Sequence, residues 1–157
     1  MSIERVRKHF ASLGIADRIR EFPVSSATVE LAAQALGCEN KRIAKTISLY
    51  KDTSAILIVA AGDAKIDNHK FKEFFGFKAR MLHFEDVEPI IGHAVGGVCP
   101  FAVNDGVAVY LDASLKRFDT VFPACGSSNT AIELNLNELE NYSNSKGWVD
   151  VCRLPQD

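Results

Sequence analysis

One lysine stands where a charge is costly. If residues 43–50 form a strand, Ile43, Lys45, Ile47 and Leu49 share a face, because side chains alternate with a period of two. An ammonium on an aliphatic face is expensive to bury unless it is paired, so such a lysine is held by an acid or serves a site. The plainer readings are a lysine that snorkels from a strand end into water, or a strand that starts later. All three readings stand on the residues alone.

A second candidate is Val95-Gly96-Gly97-Val98-Cys99-Pro100-Phe101. Adjacent glycines let a backbone come close to a ligand or adopt positive φ, and Pro100 stiffens the exit. Such a turn can aim several amide N–H groups at a carbonyl or phosphate oxygen, as an oxyanion hole does. It matches neither the dinucleotide nor the P-loop spacing, and a simple tight turn is the competing account. Cys99 with His93 also permits a Cys–His nucleophile, although no third orienting residue is evident. The stretch Cys125-Gly126-Ser127-Ser128-Asn129-Thr130 is a small, polar bend that either lines a pocket or merely turns the chain. No Gly-x-Ser-x-Gly elbow and no paired carboxylates are present.

Composition narrows the classes. The chain has 157 residues, 47% hydrophobic and 24% charged, the balance of a soluble globular protein read as one domain over 1–157. Charged residues crowd the N-terminal segment, and the longest apolar run, 55–61, is too short for a bilayer, so we expect a cytoplasmic protein with no membrane partner. The four cysteines, Cys38, Cys99, Cys125 and Cys152, lack zinc-site spacing, and the expectation is no metal and no cofactor. Net charge is −2, yet 1–80 carries 14 basic and 9 acidic residues (+5), while 81–157 carries 4 and 11 (−7). The basic half suits a phosphate-bearing partner touched on one side, or ordinary solvated surface.

Several elements must position these residues. A first helix runs from a Ser2 cap through Ile3, Val6, Phe10 and Leu13 to Gly14; a second is capped by Thr28 and ended by Gly37. Strands are expected over 43–50, 55–61, 78–82, 107–111, 120–124, 129–134 and 148–152, with an extended piece at 22–24. Phe71, Phe74 and Phe75 mark a short helix before Gly76. Pro89 confines a helical turn at 85–91 to a start just before it. Asn104-Asp105-Gly106 is a turn, and Asn135 with Glu138 forms a capping box for the last helix. Many short strands with scattered helices indicate α+β with a mixed sheet.

At these same residues the chain resembles the YbaK/prolyl-tRNA editing-domain family. The resemblance is carried by Ser26-Ala27-Thr28, Arg42-Ile43-Ala44-Lys45-Thr46-Ile47, Gly96-Gly97-Val98-Cys99-Pro100-Phe101, Tyr110-Leu111-Asp112-Ala113-Ser114-Leu115, and Gly126-Ser127-Ser128 leading to Ile132-Glu133-Leu134. It implies a mixed β-sheet curled into a partial barrel and wrapped by helices. It also implies a trans-editing aminoacyl-tRNA deacylase that removes a small non-cognate amino acid, such as Ala, Cys, Ser or Thr, by ester hydrolysis. Lys45 is then the catalytic residue. Thr28, Gly96, Gly97, Val98, Cys99, Pro100, Gly126, Ser127 and Ser128 contact the substrate, which is the 3′ end of aminoacylated tRNA. A synthetase partner is compatible with this. Some branches carry a histidine where this chain has Ser127-Ser128-Asn129. The alternatives are a non-catalytic tRNA- or oligonucleotide-binding module of the same fold, and a hydrolase or transferase acting on a free small molecule.

Overall fold

A computed structural model describes residues 2–155. Helix α1 (Ser2–Ser12) buries Val6 and Phe10, which lie one helical turn apart, and the chain reverses at Gly14 with φ +76°. The capping role expected of the Ser2 side chain lies outside the described residues. Strand β1 (Arg20–Glu21) is shorter and earlier than the extended piece expected at 22–24. Helix α2 (Val29–Leu36) follows the capping rules: the Thr28 hydroxyl accepts the Leu31 N–H at 3.1 Å, and Gly37 closes it in the left-handed region.

Strands β2 (Ile43–Lys51) and β3 (Ser54–Ala61) form an antiparallel hairpin that sets Lys45 opposite Ala60. Every β3 residue from Ala55 to Ala61 is buried, which explains its unbroken apolar run: the strand is covered on both faces. Strand β4 (Lys65–Ile66) leads to α3 (Asn68–Phe75), where the Asp67 carboxylate accepts the Lys70 N–H at 3.0 Å.

The strand expected over 78–82 does not form. One isolated bridge joins Met81 to Leu49, and two backbone hydrogen bonds, Tyr50 N–H to Arg80 and Leu82 N–H to Ser48, stitch the segment to β2 before the chain turns away. It turns into α4 (Phe84–Ile91), which begins well ahead of Pro89 rather than just before it. The exposed Pro89 removes a single intrahelical donor near the end of a short helix, a loss that the first turn does not feel.

Strand β5 (Ala108–Asp112) follows the expected turn at 104–106, and β6 (Thr120–Pro123) follows a 3₁₀ turn. The single strand expected over 129–134 is two: β7 (Thr130–Ala131) pairs with β1, and β8 (Leu134–Asn135) pairs with β6. Helix α5 (Leu136–Tyr142) has the capping box with both hydrogen bonds present. The terminal strand also divides, into β9 (Trp148–Val149) beside β5 and β10 (Cys152–Arg153) beside β4. The buried Asp112 carboxylate accepts the Val151 N–H at 2.9 Å at the break between them.

The main sheet runs β8-β6-β2-β3-β5-β9, with β2/β3 and β6/β8 antiparallel and the other neighbours parallel. The mixed sheet is the α+β architecture expected from the pattern, and its curl into a half-barrel with helices around it is what the family resemblance implies. The main core packs on β3 and includes Phe10, Phe71 and Phe101; a satellite cluster of Ala32, Ala33, Ile43 and Phe122 joins α2 to the sheet.

Candidate functional site

Where α2, β2 and the glycine loop meet, the protein forms a cavity of about 420 Å³ that is open to solvent on one side. Thr28, Val29 and Ala32 come from the start of α2; Ile43, Ala44, Lys45, Thr46 and Ser48 come from β2. Met81, Leu82, Phe84 and Val87 form one side, Val95, Gly96 and Val98 a second, Phe122, Ala124, Thr130 and Ala131 a third, and Ser26 and Ala27 complete the lining beside Thr28. The lining is mainly apolar with a few hydroxyls and one cation, the composition of a small-ligand site. No histidine, aspartate or glutamate lines it among the described residues.

Lys45 is half-buried, between Ala44 and Thr46 on the wall and with Ile47 and Leu49 running into the core. Its ammonium is held by backbone rather than by an acid: Nζ donates to the carbonyl of Gly62 at 3.3 Å and to that of Ala64. Neutral carbonyls offset part of the desolvation cost without cancelling the charge. Burial therefore pushes Lys45 below the ordinary lysine value, while the nearby Cys152 and Asp63 act in the opposite direction. Asp63 is itself engaged, in a two-pronged pair with Arg117 at 2.6 and 3.1 Å. Gly62 cannot be enlarged, since a Cβ there would meet the Asn40 carbonyl oxygen at 2.0 Å.

The loop at 95–98 is locked from two sides. Gly96 has φ +91°, which favours glycine, and a Cβ there would meet the Cβ atoms of Ala27 and Ser128 at 3.6 Å. Gly97 is buried so closely against 126–127 that a Cβ would stand 2.7 Å from the Ser127 Cα. The Gly97 N–H is used within the loop, donating to Ala94 at 3.0 Å. The third wall is tied on in turn: the Ser26 N–H donates to Ser128 at 2.6 Å and the Phe22 N–H to Asn129 at 2.8 Å. Ser127 shares its hydroxyl with Thr130 at 2.8 Å.

Lys45, Thr28, Gly96 and Val98 thus line one cavity. Gly97, Gly126, Ser127 and Ser128 stand just behind, as packing between its walls. Cys99 and Pro100 are buried beyond the loop and do not reach the cavity. The Cys99 thiol lies 3.5 Å from His93 Nε2 in a fully buried pair, and burial pushes it up to about 12. His93 is lowered by the same burial, and its Nε2 lies 2.7 Å from the Phe101 carbonyl. A neutral thiol sealed from the cavity has the surroundings of a packing group rather than those of an activated nucleophile. The sequence reading missed the walls supplied by Val29, Ala32, Phe122, Met81, Phe84 and Val87. For Met81 and Phe84, the run Lys78-Ala79-Arg80-Met81-Leu82-His83-Phe84, which interleaves cations with large apolar residues, was the available signal.

Comparison with known proteins bears on this arrangement. The family model of the aminoacyl-tRNA editing domain matches residues 24–142, a span that holds every residue named above as a cavity wall. The chain belongs to the aminoacyl-tRNA editing domain family. It is 54% identical over 154 residues to the uncharacterized protein YwhH of Bacillus subtilis (strain 168), covering 98% of each chain. It is 24% identical over 131 residues to a proline–tRNA ligase of Caldicellulosiruptor saccharolyticus, of which the match spans 22%. A solved structure described as a "putative trans-editing enzyme for prolyl tRNA synthetase" superposes with a TM-score of 0.85 at 27% identity, covering 97% of both chains. No described helix is long and apolar enough to cross a membrane, and no described cluster of His, Cys, Asp or Glu could hold a metal ion.

Proposed function

We propose that residues 1–157 act as one editing domain, in trans and in the cytoplasm, as an aminoacyl-tRNA deacylase that hydrolyses the ester of a small non-cognate amino acid. The observation that carries this reading is a carbonyl-held, half-buried Lys45 on the wall of a largely apolar cavity, in a chain of the editing family. The chemical need is general: a synthetase pocket rejects a smaller or isosteric amino acid by only about 10–200-fold, so a second, sterically filtered site must remove the errors.

Hydrolysis passes through a tetrahedral oxyanion. In this reading the Lys45 ammonium holds that oxygen or the adjoining phosphate. With the Gly97 N–H committed to Ala94, the flanking amides of the wall residues Gly96 and Val98 are the loop's donors toward the acyl oxygen. Among the described residues no carboxylate or imidazole lines the cavity to serve as general base, so the neighbouring hydroxyl of the terminal ribose relays the attacking water's proton to the ribose oxygen that departs as the acyl C–O bond breaks. Catalysis then rests on positioning and fixed charge. The apolar patch of Val29, Ala32, Ile43 and Phe122 receives the amino acid side chain.

The deciding assay offers the protein a panel of mischarged tRNAs, with proline tRNA foremost because of the ligase relatives, beside Lys45→Ala. Release of a small amino acid by the wild type and its loss in the variant support the reading. RNA binding without any hydrolysis would establish the binding module, and turnover of free small esters alone would establish the third alternative.

A further inference from the structure

The cavity mouth carries large apolar side chains that face water. Phe84 is 76% exposed, Met81 65% and Val95 47%, and all three line the cavity. Leaving three neighbouring apolar groups in water is unfavourable, and a patch of this kind at the lip of a site marks a binding surface.

The patch is rigidly mounted. The Tyr50 N–H donates to the Arg80 carbonyl at 2.8 Å and the Leu82 N–H to Ser48 at 3.1 Å, which fixes Met81 between them. The Tyr50 hydroxyl takes the His83 N–H at 3.0 Å and donates to the Asp86 carboxylate at 2.5 Å, clamping both sides of Phe84. A preformed aromatic surface loses little entropy when a flat partner arrives.

The charges around it are asymmetric. Arg80 lies over the Tyr50 ring at 4.6 Å and makes no ion pair among the described residues, and Lys78 is exposed two positions before it. On the other side Glu85 and Glu88 share a surface hollow with Phe84 and Val95. An anionic strand is therefore drawn along the Arg80 side and repelled from the helix side. A flat apolar group beside a directed negative charge is the chemistry of a single-stranded nucleotide: bases stack on aromatic rings while cations take the phosphates.

We propose that Phe84, with Met81 and Val95, is a stacking platform for the unpaired 3′-terminal nucleobase of the substrate RNA, and that Arg80 receives the adjoining phosphate. The assignment rests on the deacylase reading for its substrate. It adds the base subsite and the direction in which the strand enters.

The test uses an RNA hairpin with a single-stranded 3′ end whose terminal base is 2-aminopurine and whose amino acid is joined by a non-hydrolysable amide. Stacking quenches 2-aminopurine, so the wild type should quench it, Phe84→Ala should not, and Phe84→Trp should restore the effect. For hydrolysis, Phe84→Ala should raise KM for mischarged tRNA on the order of five- to a hundred-fold, the range of one lost stacked base. Its loss on a base-free aminoacyl ester should be several-fold smaller. Arg80→Gln should weaken probe binding and flatten its salt dependence. Quenching that survives Phe84→Ala, equal losses on both substrates, or a dimer through this patch that excludes the probe would each overturn the proposal. Quenching by a wild type that hydrolyses no mischarged tRNA would sustain the platform and sink the deacylase reading. Hydrolysis with no quenching would do the reverse.

Discussion

A Cβ placed on Gly97 would stand 2.7 Å from the Cα of Ser127 and 2.8 Å from the carbonyl of Gly126. Both obstacles are backbone, so neither can rotate away as a side chain would. Two loops separated by 29 positions in the chain are therefore held at glycine distance.

Gly97→Val is expected to lower activity at least 100-fold while leaving secondary structure intact. The substitution must push 126–127 away from 95–98 and so move the Gly96 and Val98 amides; losing one oxyanion donor typically costs about 100–1000-fold in rate. Overpacking should also cost about 1–3 kcal/mol of stability. Single-turnover deacylation beside thermal unfolding measures both, and wild-type turnover in a folded Gly97→Val would remove the loop from the mechanism.

Lys45→Ala is expected to fold and to lose most deacylation. The pH dependence follows from the direction of its shift. Burial lowers Lys45 below 10.5, so the ammonium form is lost as pH rises through that lowered value. After subtraction of spontaneous ester hydrolysis, kcat/KM should have an alkaline limb below 10.5 that Lys45→Arg moves upward. A limb that is the same in Lys45→Arg would assign it to another group.

Cys99→Ala should keep activity within a few-fold. The thiol is fully buried, pushed up to about 12, and turned away from the cavity, so it offers no thiolate at neutral pH. The half-buried Cys38 should react with iodoacetamide before Cys99, Cys125 or Cys152. Mass spectrometry of trapped reactions should show no aminoacyl-enzyme. A cysteine adduct, or a dead but folded Cys99→Ala, would replace the mechanism with covalent catalysis.

Affinity for tRNA should fall gently with salt. Residues 1–80 carry +5 against −7 for the rest, so few phosphates are neutralised at once. A slope of log K against log salt on the order of −2 to −3 corresponds to about three contacts. Binding that is flat between 50 and about 200 mM salt, the range over which such contacts are lost, would favour a free small-molecule substrate.

Much of this site was legible from local chemistry. Thr28 and Gly37 frame α2 because a hydroxyl before a helix and a glycine after it satisfy orphan backbone groups, whatever lies around them. The Asn135–Glu138 box is equally local. Lys45 stood out because a period-two pattern placed a cation among aliphatic residues. The errors arose where partners are remote. Residues 129–134 look like one strand, yet β7 and β8 belong to different partners. Residues 78–82 have strand composition, but the edge of β2 offers them only two hydrogen bonds.

The sequence alone determined the class of architecture, the caps of α2 and α5 and, through its motifs, the family, and it singled out Lys45 and the glycine pair as candidates. Those features depend on spacing within one segment, where backbone period and capping chemistry act directly. Only the tertiary structure decided what surrounds Lys45, because its carbonyl partners at Gly62 and Ala64 come from the turn beyond the neighbouring strand. Only it showed that Gly97 is a spacer against Ser127 while Gly96 lines the cavity, and that Cys99 points into the core. Burial, desolvation and close packing are properties of distant residues brought together, and no local pattern in the chain records them.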